Sequence, residues 1–304
     1  MSKKILSIFI GVGLLVLVFY FFGFENIIQI LSKINLFYFV VAGGFFLVSE
    51  VFATLKLKLV SPLKFSKVFF SHLGGMFLSQ MTPGRAGYFY TSYSLAKKEN
   101  TSISGKVGIV SLIMGLMMLS KVFLIILAII YFSFLFEIPN YLLLSFIMPI
   151  LIVFMVFFVL YSKKSRNILS KIPILNKFVK YLELMQNAVN EISFNKIIKI
   201  MVLDVFGWLF WGLQYYFLIN SLGYTISFVT CLMLQVIFSA ILFIPLSPNA
   251  LGLGESGSAL VFSLLGFEPS LGVAFLLLLR INMFLFDSPG MIDLKTIHIP
   301  KKLF

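Results

Sequence analysis

The chain has 304 residues, 60% of them hydrophobic and only 12% charged, with 37 phenylalanines and a mean hydropathy of +1.06. Soluble domains carry about 25% charged residues, so the composition excludes a water-soluble globule and predicts an integral membrane protein. The net charge of +13 sits between apolar runs rather than along one face, which excludes nucleic acid and points to anionic lipid surfaces.

Apolar stretches long enough to cross about 30 Å of hydrocarbon occur near 4–23, 35–55, 107–133, 141–161, 199–220, 227–246 and 269–289. The first resembles a signal peptide but is too long and lacks a small-residue cleavage site, so it reads as a retained span. Two shorter pieces, 66–95 and 247–267, do not fit a simple span count. Lysines at 56, 58, 64 and 67, at 97, 98 and 106, through the stretch 162–198 and in the tail "KTIHIPKKLF" define one side. The lysine-free turns "FEIPN" (136–140), "SLGYT" (221–225) and "GFEPS" (266–270) define the other. Positive-inside topology then puts both termini and the basic loop 162–198 in the cytoplasm of a plasma-membrane protein, with Lys33 alone on the wrong side. Within that loop, "ILNKFVKYLELMQNAVNEI" has apolar residues at helical spacing and reads as a surface helix covering the end of the bundle. No linker divides the chain, so a single domain over 1–304 is expected.

Two apolar runs are broken in the same way. "LSQMTPGRAGYFY" (78–90) and "IPLSPNALGLGESG" (244–257) each contain a hydroxyl residue, a proline, three residues and a glycine: Thr82-Pro83 through Gly87, and Ser247-Pro248 through Gly252. Under the topology above, the segments carrying them enter from opposite faces. The expected fold is therefore all-α and polytopic, with about seven spanning helices plus two oppositely oriented re-entrant hairpins, an inverted repeat. Irregular backbone at membrane depth is tolerated only when enclosed by protein or lining a water-filled cavity, and paired interrupted helices point to a transporter's binding site. The breaks expose backbone donors at Gly84, Gly87, Asn249, Gly252 and Gly254, and helix starts favour anions. Arg85 adds a fork of donors suited to phosphate.

Charges inside apolar runs complete the candidate site. Glu50, Arg85, Lys121, Asp204, Glu255, Arg280 and Asp287 would each cost on the order of 3 kcal/mol on a lone lipid-facing helix, so they are expected to pair, face a cavity or reach an interface. Arg85 and Arg280, supported by Lys121, are read as phosphate ligands, and Glu255, Asp204 and Glu50 as charge balance or proton coupling. Gln80, Gln214, Gln235 and Asn282 are expected to form interhelical hydrogen bonds. Catalysis and metal binding are not expected. With Cys231 the lone cysteine and His72 and His298 the two histidines, no His/Cys metal cluster or disulfide framework is available. "GESG" (254–257) matches a rhomboid-protease pattern only weakly, since no histidine is suitably placed, and no Gly-Lys-Ser/Thr follows to make a nucleotide loop. No cofactor is expected.

At "TPGRAG" (82–87), and at "PNALGLGE" (248–255) followed by "LLGF" and the "LLLLR" span ending at Arg280, the chain resembles the transmembrane region of lysylphosphatidylglycerol synthases, the flippase-like domain family. The resemblance covers nearly the whole chain. It implies a stand-alone lipid transporter of the short form, without the aminoacyl-transferase domain and its synthase activity. The implied partner is an anionic phospholipid or a polyprenyl-phosphate-linked lipid. Two departures stand out: Tyr88 occupies a position where the family often has glutamate, and the span "IVSLIMGLMML" leaves Lys121 as the charged residue there. Alternative readings are a non-transporting scaffold for an envelope-biosynthesis enzyme, a homo-oligomer of that kind, or a carrier of soluble solutes.

Overall fold

The computed structural model describes residues 3–134, 147–172, 176–242 and 247–296. The turn at 136–140, the start of the 141–161 run, residues 244–246 of the second break and the tail with His298 lie outside the described residues. The described chain is helical, and its one β-type contact is an isolated bridge described below.

The chain opens with α1 (Lys3–Phe22) and α2 (Phe24–Ser32), bent by 87° at Gly23. Gly23 has φ +80, a conformation that glycine adopts at no steric cost. Asn35 then caps α3 (Leu36–Lys58), its side chain accepting from the Phe37 and Tyr38 amides at 3.0 and 3.4 Å. α4 (Phe65–Gln80) leads into the first break, a short 3-10 turn Ala86–Phe89 and α5 (Tyr90–Glu99). Asn100, in the left-handed region at φ 53, ends α5. Ser102 caps α6 (Ile103–Ser133), its hydroxyl accepting from the Gly105 amide at 3.3 Å.

Next come α7 (Ile147–Tyr161), α8 (Lys163–Lys171), α9 (Val179–Asn190) and α10 (Phe194–Ser221). α11 (Phe228–Leu242) and α12 (Leu253–Leu264) flank the second break. α13 (Pro269–Asp287) and α14 (Met291–Thr296), joined through a 3-10 turn at Ser288–Gly290, close the described chain. Gly223 and Gly266, both at φ +82, stop α10 and α12. In each case the next amide reaches back five residues, Tyr224 to Ile219 at 3.3 Å and Phe267 to Phe262 at 3.0 Å.

Among the described residues, four stretches are long and apolar enough to cross a bilayer: α3, α6, α10 and Pro269–Lys295, with a fifth if the bent α1–α2 pair is one span. Of the seven expected, the runs 141–161 and 227–246 extend outside the described residues, which cover 15 residues of each as α7 and α11. The basic stretch 162–198 is largely helical. α9 lies along α6, where a Cβ on Gly108 would stand 2.7 Å from the Met185 carbonyl oxygen. Gln186 ties α9 to the end of α7, donating to the Val159 carbonyl at 2.7 Å.

α3 and α10 run antiparallel along a ladder of stacked rings, Phe52–Phe206, Phe52–Phe210 and Phe45–Phe217, at centroid separations of 5.7, 5.5 and 5.1 Å. Such pairs add about 0.5–1.5 kcal/mol each beyond their buried area. The stretch Pro269–Lys295 is the centre of the bundle, with 61% of its apolar window buried against 22–33% for the other three.

The two broken segments are helical hairpins. In the first, α4 and α5 are antiparallel: Ser71 and Ser94 hydroxyls meet at 2.8 Å, and Gly75 abuts Thr91. In the second, Phe238 of α11 stacks on Phe262 of α12 at 6.5 Å, and Ile241 abuts Gly257. The bases of the hairpins lie at opposite ends of α3. The first is fixed near the α3 C-terminus by Ser61 donating to Glu99 at 2.6 Å. The second is fixed near the α3 N-terminus, where the Asn35 amide donates to Ser221 at 2.8 Å and Tyr224 meets Phe267 at 6.1 Å.

Backbones approach closely within the first hairpin. A Cβ on Gly87 would stand 2.4 Å from the Leu78 carbonyl carbon and oxygen, so the helix would have to move. Gly87→Ala is expected to destabilise by about 1–3 kcal/mol, read as a lower melting temperature of the purified protein in detergent. An unchanged melting temperature would show that the hairpin is not closed at this contact.

Candidate functional site

The two breaks adopt one geometry. After Pro83, Gly84 and Arg85 take φ 57 and 56; after Pro248, Asn249 and Ala250 take φ 46 and 53. The Arg85 amide donates to the Thr82 carbonyl at 3.3 Å, and the Ala250 amide donates to the Ser247 carbonyl at 3.1 Å. One residue on, Ala86 donates to Pro83 at 3.2 Å and Leu251 to Pro248 at 3.0 Å. The degenerate repeat visible in the sequence is thus a repeated backbone turn. Three of these four left-handed residues are not glycine, and a left-handed L-residue costs roughly 1–2 kcal/mol. Strain of this kind persists only where surrounding structure holds it.

What holds it is the other break. Pro83 and Pro248 face each other as an antiparallel bridge, and the Asn249 amide donates to the Thr82 carbonyl at 3.4 Å. Prolines have no N–H, so the neighbouring residue supplies the donor. The hairpins, anchored at opposite ends of α3, therefore meet tip to tip.

Each tip is clasped differently. At the first, the Thr82 hydroxyl oxygen accepts from the Gly87 amide at 2.7 Å. At the second, Glu255 caps its own helix, accepting from the Gly252 amide at 2.7 Å, and also receives the Arg280 Nε–H at 2.7 Å. Arg280 further donates to the Asn249 carbonyl at 2.8 Å. Gly254 packs against the Arg280 guanidinium, and Gly252, at φ +83, packs against Leu14 of α1. Arg280 thus directs its donors into the tip itself.

Arg85 is 8% exposed, with Tyr215, Asp287, Glu50 and Arg280 as its electrostatic neighbours. Lys121 lies 5.2 Å from the Trp211 ring centroid and within electrostatic range of Arg85, Asp204 and Lys56. Asp204 is paired with Lys56 at 2.5 Å. That lysine, expected in a solvated linker, is instead a buried partner inside α3, because α3 continues past it to Lys58. Lys98 and Lys106 are likewise paired, with Asp293 and Glu99. Arg280 and Glu255 thus meet at the second tip, Arg85 has Glu50 and Arg280 as electrostatic neighbours, and Lys121 links Arg85 to the Asp204–Lys56 pair.

Asp287, singled out in the sequence as a charge in an apolar run, is fully buried and accepts from Gln80 at 2.7 Å. Two further members had little signal in the sequence. Tyr215, one of many aromatic residues, lies near both Arg85 and Arg280. His72 is hydrogen-bonded to Glu50 through Nε2 and to Tyr88 through Nδ1, the latter at 3.1 Å. The one available hint was an imidazole inside an apolar helix. Its partner Glu50 lies 22 residues away in sequence. Asn249 Oδ1 and Asp287 Oδ1 are buried with no hydrogen-bond partner among the described residues. The expected interhelical bonds appear for Gln214 to Asn282 at 3.0 Å and for Asn282 to the Phe39 carbonyl at 3.0 Å, whereas both amide atoms of Gln235 are buried without a hydrogen-bond partner among the described residues. Ser256 of "GESG" donates to the Gly252 carbonyl at 2.9 Å.

A UPF0104 membrane protein of Methanocaldococcus jannaschii is 27% identical over 207 residues, covering 68% of this chain and 87% of that protein. No solved structure matches the chain. The family model described as the lysylphosphatidylglycerol synthase TM region matches residues 4–289, a range that contains both breaks, their clasps and every charge around them. The chain belongs to the lysylphosphatidylglycerol synthase transmembrane region family.

Proposed function

We propose that this protein moves an anionic, phosphate-bearing lipid between the leaflets of the plasma membrane, holding the headgroup where the two breaks meet. The observation that carries the reading is the tip-to-tip bridge between Pro83 and Pro248, with the guanidinium of Arg85 beside it. In this reading both hairpins are re-entrant halves of an inverted repeat inside a bundle of about seven spans, with both termini cytoplasmic. Their meeting point is then near the bilayer midplane, where polar backbone is tolerated only if enclosed or wet. The buried oxygens of Asn249 and Asp287, which have no hydrogen-bond partner among the described residues, support a wet site, since such groups are normally satisfied by protein, water or ligand.

Roles follow from the geometry. Arg85, with Lys121 behind it, binds the phosphate. Arg280 and Glu255 shape the second tip, so Arg280 acts chiefly through the backbone of Asn249 and Ala250. Lys56 and Asp204 neutralise each other between α3 and α10. The activity is transport rather than catalysis. The headgroup chemistry is shared by phosphatidylglycerol and polyprenyl phosphate, and the test separates them. Proteoliposomes carrying either lipid with a fluorescent label are treated with dithionite, which bleaches the outer leaflet alone. Protein-dependent bleaching of the inner pool supports transport and shows which lipid is moved. Bleaching that stops at the outer leaflet for both lipids rejects the proposal, and co-purification of an envelope enzyme would then favour a scaffold.

A further inference from the structure

Next to the candidate headgroup site is a buried chain of three titratable side chains that phosphate binding does not use. Glu50 of α3, His72 of α4 and Tyr88 of the 3-10 turn are all less than a tenth exposed. His72 Nε2 faces the Glu50 carboxylate, and Nδ1 faces the Tyr88 hydroxyl at 3.1 Å. Both ring nitrogens are therefore engaged. With Nε2–H donating to Glu50, Nδ1 accepts from the Tyr88 hydroxyl; when the ring gains a proton, Nδ1–H donates to the Tyr88 oxygen instead. The pocket accommodates either state without moving a heavy atom, and histidine is the side chain suited to switch near neutral pH.

The chain is joined to Arg85 in two ways. The Tyr88 amide donates to the Arg85 carbonyl at 3.0 Å, closing the turn that Arg85 starts. Glu50 is also among the electrostatic neighbours of both Arg85 and Asp287. The other charges around α4 are matched elsewhere: Asp293 by Lys98 and Tyr90, Asp204 by Lys56, and Asp287 in part by Gln80. Lys121 is an electrostatic neighbour of Arg85. Thus Glu50 and Asp287 are the carboxylates whose fields reach Arg85.

We propose that Glu50, His72 and Tyr88 form a proton-binding site coupled to headgroup occupancy at Arg85, so that a proton and an anionic headgroup bind together. The inference rests on the headgroup reading above but concerns binding rather than movement. Protonating His72 balances Glu50, which leaves Arg85 with less internal anion to attract it and more positive potential for phosphate. By reciprocity, a bound anion raises the proton affinity of His72.

The sequence makes this directly measurable. With two histidines in the chain, a His298→Gln background leaves His72 as the one imidazole. Histidine-labelled protein in this background is placed in phosphatidylcholine nanodiscs with or without phosphatidylglycerol, and the ring is followed by NMR between about pH 5 and 8. An anionic bilayer raises any midpoint through its surface potential, so the shift is compared with that in Arg85→Gln, which retains the surface effect and loses the site. The expected result is an extra rise of about half a pH unit, roughly threefold coupling, in the Arg85 protein. Glu50→Gln is expected to lower the midpoint in both bilayers. A ring that holds one state throughout, or an equal shift with and without Arg85, overturns the proposal. If the coupled shift is present but vesicles show no lipid movement, the proton site stands and the transport reading falls. If lipids move while His72 fails to titrate, the reverse holds.

Discussion

Replacing Glu255 with alanine is expected to destabilise the protein by about 3–5 kcal/mol, the usual cost of leaving a buried charge without its partner. Glu255 is fully buried and performs two tasks at once. Its carboxylate accepts from the Gly252 amide, one of the orphan donors at the start of α12, and from Arg280 of α13. Alanine removes both, leaving the Arg280 guanidinium against the carbonyls of Asn249 and Ala250 with no anion. The tip those carbonyls belong to holds two residues in left-handed conformations, so its geometry depends on the clasp. Melting of the purified protein in detergent reads the loss, and Glu255→Gln is expected to recover part of it by keeping the cap. The double variant Glu255→Ala/Arg280→Met should melt above Glu255→Ala alone, because the uncompensated charge is gone. Equal melting of wild type and Glu255→Ala would mean that the second tip is held by packing instead.

Arg85→Gln is expected to reduce movement of labelled phosphatidylglycerol roughly 10- to 100-fold. That range corresponds to the about 1.5–3 kcal/mol of a hydrogen bond to a charged group. Arg85 is buried at the first tip, whose turn is closed by backbone and by Thr82. Glutamine keeps a polar side chain there but loses the charge and the fork. Arg85→Lys is expected to fall between, since an ammonium keeps the charge but not the paired donors. Labelled phosphatidylcholine is the control, because its zwitterionic headgroup offers less to a cation. Undiminished movement in Arg85→Gln would remove the first break from the transport path.

Much of this was legible along the chain. The two breaks at 82–87 and 247–252 announce themselves because proline and glycine interrupt predominantly apolar runs. Charges in such runs are expensive enough to be functional or paired, so Glu50, Arg85, Lys121, Asp204, Glu255, Arg280 and Asp287 could be singled out one by one. The helix ends at Asn35, Ser102, Gly223 and Gly266 follow local rules, since caps depend on residues a few positions apart.

Pairing was another matter. Lys56 appeared to be a loop lysine until α3 was seen to run through it to Asp204 of α10, 148 residues away. His72 looked inert because its partners lie on α3 and on the turn after α4. Arg280 looked like a phosphate ligand, yet its donors point into the neighbouring tip. Hydropathy and local propensity depend on residue type and short-range spacing, so the sequence by itself determined the membrane class, the breaks and the inventory of buried charges. Which charge meets which, and that Pro83 meets Pro248, was decided by the tertiary structure. Electrostatic pairing and backbone contact require a few ångströms of proximity, and in this chain folding alone brings residues so far apart in sequence that close.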